Sequence, residues 1–201
     1  RFTNNIVKVK RTKISNDFLL ISQYEEKKDN LNNFYIKLLG YLNLYFINSN
    51  KKLHILLRKK DPEVQKQEIK FYKKFFKFNC VFHKTLKWKE SYKTLDQFEN
   101  IIFMHSTLGY EAISRKKKVA MFPPKKIKYC DYWFGWPAPF QKKYNFFSAK
   151  NLRFNEVKRV LNNVYSCSQL EWEKKYYGTI KDKLPIDQNN SKLKKTIFNS
   201  L

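Results

Sequence analysis

The sequence predicts an α/β fold: a doubly wound, mainly parallel sheet of about five or six strands, with helices on both faces. Short apolar runs alternate about five times with segments whose apolar residues recur at helical spacing. Such alternation implies parallel strands joined by helical crossovers. The 201 residues are 42% apolar and 17% aromatic, which excludes a disordered chain and allows one domain with a substantial core. No internal repeat or long low-complexity linker interrupts the pattern.

The first three strands and their helices are predicted from apolar runs and periodicity. The run from Phe18 to Ser22 ends in polar residues, which is typical of a buried strand. Pro62 stands where a helix can begin, because its fixed φ angle is tolerated in the first turn. In chain order we expect a strand at 18–22, a helix at 32–48, a strand at 52–57, a helix at 63–76 and a strand at 80–83.

The remainder of the chain continues the alternation. We expect helical turns at 91–98, a strand at 100–104, a helix at 107–116, a strand at 119–122, helices at 155–165 and 169–177, and a last helix at 191–199. Residues 1–150 are expected to form the α/β core, and residues 151–201 a helical extension that packs on it within a single domain. The chain begins at Arg1 and not at Met, as a fragment of a longer protein would.

The charge is strongly positive, with 42 Lys and Arg against 17 Asp and Glu, a net charge of +25. One explanation is nucleic acid, because basic side chains displace counterions from phosphates. A second is codon bias in an A/T-rich genome, since the lysines are scattered along the whole chain. An anionic membrane surface or an acidic glycan is a third. The charge alone does not decide between them.

Cysteines and hydropathy exclude several classes of protein. The three cysteines, Cys80, Cys130 and Cys167, are far apart and form no C-x-x-C pair, which argues against a disulfide framework and a zinc site. This pattern fits a reducing compartment, so we expect a cytoplasmic protein. No signal peptide is recognisable, and the longest apolar stretch, 34–47, is too short to span a bilayer.

Four segments follow predicted strands and would meet at one edge of the sheet, where doubly wound folds bind their ligands. They are 22–26, 58–62, 105–109 and 132–139. In the third, a strand delivers Ser106 and Thr107 to the first turn of a helix. Free amides, hydroxyls and the helix dipole would make an anion site there, and Gly109 would allow a close approach. A simple Ser/Thr helix cap is the structural alternative.

Other charged residues have less specific explanations. Glu111 does not complete a capping box, so its carboxylate is available for a ligand hydroxyl such as that of a ribose. Arg58 and its neighbouring lysines point either to the same phosphate or to solvent. Lys116 to Lys118 are interpreted as structural cations at a helix C-terminus. His54, His83 and His105 are isolated in sequence and are interpreted as structural, although His105 borders the candidate site.

The run from Asn100 to Ala120, with its Ser-Thr-x-Gly-x-Glu-Ala sequence, resembles the C-terminal half of bacterial surface-polysaccharide glycosyltransferases of the GT-B fold. The resemblance is to capsule and lipopolysaccharide transferases, including those that use CMP-activated Kdo. The segments 23–26, 58–62 and 134–136 resemble their glutamine-acid, Lys-Pro-His-Pro and Gly-Trp segments, so the likeness covers about residues 18–140. Asp61 replaces the histidine of that family, and Arg115 or Lys116 replaces a glycine.

The resemblance implies a Rossmann-like donor-binding domain that holds a CMP- or UDP-linked sugar in surface polysaccharide synthesis. It implies that the phosphate is bound by Ser106, Thr107, Leu108, Gly109, Arg58 and Lys59, and the nucleoside or sugar by Gln23, His105, Glu111, Gly135 and Trp136. A chain of 201 residues has room for the donor domain only, so no catalytic residue is nominated. No metal or other cofactor is expected, since no acidic metal cluster appears.

The expected acceptor is a membrane-linked glycan, and the positive surface would help to hold the protein at the inner face of an anionic membrane. The alternative from another class is a basic RNA-binding or ribosome-associated protein from an A/T-rich genome. A non-catalytic α/β scaffold is a third hypothesis.

Overall fold

A computed structural model of the chain, which describes residues 7, 14–25, 30–124, 146–149 and 151–178, contains one five-stranded parallel sheet in the order β3-β2-β1-β4-β5. The strands are β1 (Ser15–Ile21), β2 (Leu53–Leu56), β3 (Val81–His83), β4 (Phe98–Phe103) and β5 (Lys118–Met121). This strand order, with helical crossovers, confirms the predicted doubly wound α/β fold. The strand order reverses between β1 and β4.

The helices are α1 (Asn30–Ile47), α2 (Pro62–Phe75), α3 (Trp88–Asp96), α4 (Thr107–Ser114), α5 (Phe154–Ser166) and α6 (Gln169–Glu171), and a π-helical segment, Trp172–Tyr177, continues α6. Each predicted helix of this part of the chain is present, with ends displaced by a few residues. The turns predicted at 91–98 are a nine-residue helix, α3, which begins three residues earlier. The helix predicted at 191–199 lies outside the described residues.

The central strand is apolar because both faces of the sheet are covered. Residues 18–21 of β1 are completely buried, as expected for a parallel strand between two helical layers. Leu19 lies between His54 of β2 and Ile101 of β4 in register. Right-handed crossovers place α1 and α2 on one face and α3 and α4 on the other.

Helix α5 completes the layer that contains α1. It packs against α1 and β5, and its Tyr165 stacks on Phe18 of β1 with ring centroids 5.8 Å apart. On the other side, α3 and α4 pack against β4. Helix α5 therefore covers part of the same face of the sheet as α1.

Asp61, which replaces the histidine of the transferases, has a structural role at the start of α2. Asp61 is the N-cap, and its carboxylate accepts hydrogen bonds from the amides of Glu63 and Val64 at 2.8 and 3.1 Å. Pro62 occupies the first helical position, as predicted. The Asp61 side chain is thus engaged in capping.

The three lysines that follow α4 are structural, but the predicted reason is wrong. Lys117 and Lys118 are buried, and their ammonium groups donate to the carbonyls of Asp96 and Cys167, each at 2.7 Å. Lys116 is the exposed one, and it has a φ angle of 65°. The backbone turns sharply there, within the Arg115–Lys116 pair of which one residue replaces a glycine of the transferases, so a left-handed conformation is imposed on a lysine.

Within the described part of the chain, no helix combines the length and apolarity needed to cross a membrane. Cys80 and Cys167 are free thiols, and burial raises their pKa to about 12 and about 11. Cys130 lies outside the described residues.

Candidate active site

Three of the four predicted segments meet at the carboxyl edge of the sheet. Strands β2, β1 and β4 are neighbours, so the residues that follow them lie side by side. This brings together Ser22–Gln23, Arg58–Lys59 and His105–Thr107. The fourth segment, with Gly135 and Trp136, lies outside the described residues.

The start of α4 has the features of an anion site. Ser106 is the N-cap residue, with φ −70° and ψ 134°, yet its hydroxyl makes no capping hydrogen bond. The structural alternative, a hydroxyl used only as a cap, is therefore not what this helix shows. The first amides of a helix have no carbonyl four residues earlier within the helix to donate to, and the positive end of the helix dipole lies beside them. The Thr107 side chain is exposed beside them.

Gly109 is accounted for by packing. A Cβ atom at this position would collide with the ring of Phe103, which is the last residue of β4. The Gly109 amide donates to the carbonyl of Ser106 at 2.9 Å. The missing side chain lets the helix approach its own strand. The sequence predicted close approach by a ligand or another backbone, and the neighbour that comes close here is the ring of Phe103.

Gln23 joins the ends of β1 and β4 across the point where the strand order reverses. With the amide oriented so that both of its polar atoms have partners, its oxygen accepts from the amides of Ser106 (2.9 Å) and His105 (3.2 Å). Its nitrogen then donates to Nδ1 of His105 at 3.2 Å. Gln23 and His105, two predicted site residues from distant parts of the chain, are thus in direct contact at the edge of the sheet.

A pocket of about 330 Å³ opens beside the start of α4. It is lined by four predicted residues, Arg58, Thr107, Leu108 and Glu111, and by six others, Lys60, Thr85, Lys87, Trp88, Ser91 and Tyr92. The volume is within the range of sites for small molecules and cofactors. Three cationic side chains, one exposed tryptophan and a helix N-terminus therefore surround one cavity.

Two hydrogen bonds inside the pocket correct the expectation for its charged residues. Glu111 accepts from the hydroxyl of Tyr92 at 2.7 Å, so its carboxylate is already engaged. Burial, followed by this hydrogen bond, raises the pKa of Tyr92, which keeps the phenol protonated and donating. The guanidinium of Arg58 donates to the hydroxyl of Ser91 at 3.0 Å. Ser91 and Tyr92, both on α3, thus hold the predicted site residues Arg58 and Glu111 in place.

Lys59 does not line the pocket. Its carbonyl accepts from Nε2 of Gln65 at 2.7 Å, and the same nitrogen donates to the carbonyl of Thr85 at 3.2 Å. Gln65 is buried on α2 and fixes the loops that follow β2 and β3 to each other. These two loops form one wall of the pocket.

Below the edge of the sheet lies a buried network that the sequence analysis missed. The amide of Gln23 donates to Tyr35, the hydroxyls of Tyr35 and Tyr72 are 2.6 Å apart, Tyr72 donates to Ser22, and Ser22 donates to Glu68. Gln65, Glu68 and Tyr72 lie on the buried face of α2. Polar residues at helical spacing on an apolar face were the available signal, but their partner Ser22, which follows β1, could not be predicted from sequence.

Glu68 connects two of the site segments. Burial raises the pKa of its carboxyl, while the Ser22 hydroxyl and then the backbone amides of Arg58 and Lys59 lower it. The charge of Lys59 lowers it further. Glu68 thus senses the charge of a side chain that was expected at the phosphate.

Two of the three histidines, isolated in sequence, meet on the sheet away from this site. Nδ1 of His54 and Nε2 of His83 are 2.9 Å apart, and Nε2 of His54 is 3.4 Å from the Asp17 carboxylate. Burial lowers the pKa of both imidazoles. No group of three His, Cys, Asp or Glu side chains among the described residues is arranged to hold a metal ion.

Comparisons with known proteins identify a matching family and solved structures of similar fold. A family described as "putative O-antigen biosynthesis protein" matches residues 1–200. The chain is similar to the C-terminal domain of a glycosyl transferase group 1 family protein, LpcC, from Francisella tularensis, with a TM-score of 0.57 and 10% identity over 92% of this chain and 98% of that domain. It is also similar to TarM, with a TM-score of 0.52 and 14% identity over 97% of this chain and 37% of TarM. No curated protein sequence matches.

Proposed function

Because the chain belongs to this family of O-antigen biosynthesis proteins, which its match over residues 1–200 shows, we propose that it is the donor-binding domain of a glycosyltransferase. It would bind a nucleotide-activated sugar, CMP- or UDP-linked, during the synthesis of a surface polysaccharide. The fold supports the proposal, since the C-terminal glycosyltransferase domain of LpcC has the same architecture. The family match does not favour the alternative of an RNA-binding protein.

One observation carries the proposal: Arg58 and the start of α4 line the same pocket. A phosphate in this pocket would receive hydrogen bonds from the amides of Thr107 and Leu108 in the first turn, the Thr107 hydroxyl and the Arg58 guanidinium. Arg58 and Thr107 lie 49 positions apart in the chain, and the parallel arrangement of β2, β1 and β4 brings them together. Lys60 and Lys87 add positive charge to the wall of the pocket.

The remaining lining suits a nucleoside. Glu111, held by Tyr92, would accept a hydrogen bond from a ribose hydroxyl. Ser91 and Thr85 also line the pocket. The Ser91 hydroxyl accepts from Arg58, and the Thr85 hydroxyl donates to the carbonyl of Leu57. Gln23 and His105, which contact each other at the reversal of strand order, would border the sugar.

This domain would contribute charge stabilisation to the reaction. As the bond between sugar and phosphate breaks, negative charge grows on the departing nucleotide, and Arg58 together with the helix dipole would stabilise it. We propose that the acceptor is a membrane-linked glycan presented by a second domain, which would also supply the catalytic base. The protein would act in the cytoplasm, at the inner face of the membrane.

A nucleotide titration tests the proposal. A ligand that binds only the folded state at a concentration of about 100 times its Kd adds about 2.7 kcal/mol of stability, which raises the Tm by roughly 5–10 °C for a domain of this size. We expect CMP or UDP to produce such a rise, and Arg58→Gln to reduce it. Lys70→Gln, on the exposed side of α2, is the matched control and should behave like the unaltered protein. A melting temperature that neither nucleotide changes contradicts the proposal.

A further inference from the structure

An exposed apolar tip lies on the connection between β3 and α3. Leu86 is 60% exposed and Trp88 is 40% exposed, although both are large apolar residues. They stand two residues apart at the start of α3, beside the carboxyl edge of the sheet. Single exposed apolar residues are ordinary, but a leucine and a tryptophan together on one turn require an explanation.

Lysines surround this tip. Residues 84–93 contain four lysines and a single acid, and Lys84, Lys87, Lys89 and Lys93 are all exposed. The acid, Glu90, accepts hydrogen bonds from the amides of Leu86 and Lys87 at 2.6 and 2.9 Å, so it serves as the cap of α3. The ammonium group of Lys89 lies 5.1 Å from the centre of the Trp88 ring. We call this set of six residues, the four lysines with Leu86 and Trp88, the basic-apolar tip.

We propose that the basic-apolar tip is a docking surface for an anionic lipid bilayer. A tryptophan at the depth of the headgroups, a leucine reaching the acyl boundary and lysines among anionic headgroups are the arrangement that a membrane interface favours. The two other macromolecular partners fit less well. A nucleic-acid backbone offers nothing for Leu86, and protein interfaces are depleted in lysine.

The tip borders the pocket, because Trp88 and Lys87 also line it. Docking through the tip would therefore hold the mouth of the pocket near the membrane surface. The inference rests on the surface and not on the proposed function. Vesicle binding can consequently fail while nucleotide binding stands, and the reverse is also true.

The experiment must separate the tip from the general effect of a net charge of +25. We propose co-sedimentation of the whole chain with vesicles of phosphatidylcholine, with and without phosphatidylglycerol. Leu86→Ser leaves the charge unchanged and should weaken binding to the anionic vesicles by about fivefold to tenfold. Leu170→Ser is the matched control, since Leu170 is 65% exposed on α6, away from the tip, and it should have no effect.

A second pair of variants tests the lysines. The triple change Lys84→Gln, Lys89→Gln and Lys93→Gln should weaken binding by about fivefold for each lysine. The same triple change at Lys70, Lys73 and Lys74 of α2 lowers the net charge equally and should weaken binding much less. The response of the Tm to CMP or UDP should be unchanged in Leu86→Ser.

Three results would overturn the inference. The first is no binding to anionic vesicles at low salt, and the second is equal binding by Leu86→Ser and the unaltered chain. The third is RNA binding that depends on the tip lysines in a protein that does not bind vesicles, which would assign the tip to nucleic acid.

Discussion

The buried carboxyl of Glu68 accepts a hydrogen bond from the hydroxyl of Ser22, 46 positions earlier in the chain. Ser22 follows the central strand β1, and Glu68 lies on α2, so the bond ties a helix to the edge of the sheet that carries the site. A chain of two hydrogen bonds ends at this carboxyl, because the hydroxyl of Tyr72 donates to Ser22 and the hydroxyl of Ser22 donates to Glu68. Glu68 is therefore the terminal acceptor of the network.

Glu68 makes the stability of the protein depend on pH. Burial raises the pKa of its carboxyl above the ordinary value of 4.5, so the folded state holds this proton more tightly than the unfolded state. The contribution is fully present below the ordinary pKa and is lost as the pH rises through the folded pKa. In Glu68→Gln this loss should be absent. Urea unfolding of both proteins over a series of pH values measures the difference, and parallel curves would contradict the assignment.

The hydroxyl of Tyr72 connects Tyr35 to Ser22 in the interior of the protein. Tyr72→Phe leaves both partners buried with one hydrogen bond fewer, so we expect a loss of about 1–3 kcal/mol of unfolding free energy. Tyr41→Phe, on a half-buried tyrosine of α1, is the matched control and should change stability by less than about 0.5 kcal/mol. Equal losses in the two variants would show that the network adds no stability.

The parallel strands and the place of the Ser106–Thr107 pair after β4 could be predicted from sequence because both depend on local signals. Apolar runs mark β1 and β4, and the Ser106–Thr107 pair stands directly after a run, so parallel topology places it at the edge of the sheet. The burial of Lys118 could not be predicted in this way. This lysine in a strand is buried with two partners, the carbonyl of Cys167, 49 positions later, which accepts from it, and the Glu99 carboxylate at 3.4 Å. No local pattern encodes such partners.

The lining of the pocket shows the same limit. Ser91 and Tyr92 were placed on a helix correctly, but their contacts with Arg58 and Glu111 span 33 and 19 positions. Residue types reveal that an arginine or a glutamate is available, whereas tertiary packing decides which hydroxyl holds it. The side chain of Lys59 was expected at the phosphate together with that of Arg58, yet the pocket is lined by Arg58 and Lys60 and not by Lys59.

The imidazoles of His54 and His83 should make the protein less stable in mild acid. Burial lowers the pKa of both below the ordinary value of 6.5, and the charge of His54 lowers the pKa of His83 further. The Asp17 carboxylate raises the pKa of His54, whereas the charge of Lys52 lowers it further. Their contribution is present above pH 6.5 and is lost as the pH falls through the folded pKa. His83→Gln should reduce this loss between pH 7 and pH 5 in urea unfolding, and an unchanged slope would contradict it.

Lys116 has a φ angle of 65°, a conformation that costs an L-residue roughly 1–2 kcal/mol and glycine little. We expect Lys116→Gly to be more stable than Lys116→Ala by about 1 kcal/mol, the reverse of the order inside a helix. Both variants lose the ion pair of Lys116 with Glu173, so comparing them isolates the backbone. Thermal unfolding of the two proteins measures the difference, and a more stable alanine variant would contradict the prediction.

Thr107→Asp separates the stability of α4 from its capacity to bind an anion. Aspartate in the first turn suits the positive end of the helix dipole, so the free protein should be unchanged or more stable by up to about 1 kcal/mol. The same carboxylate would occupy the place of the phosphate and repel it. We therefore expect CMP and UDP to lose their effect on the Tm in this variant. Thr107→Asn has the same shape without the charge and should retain most of the effect. A full nucleotide response in Thr107→Asp would show that the phosphate does not bind at the start of α4.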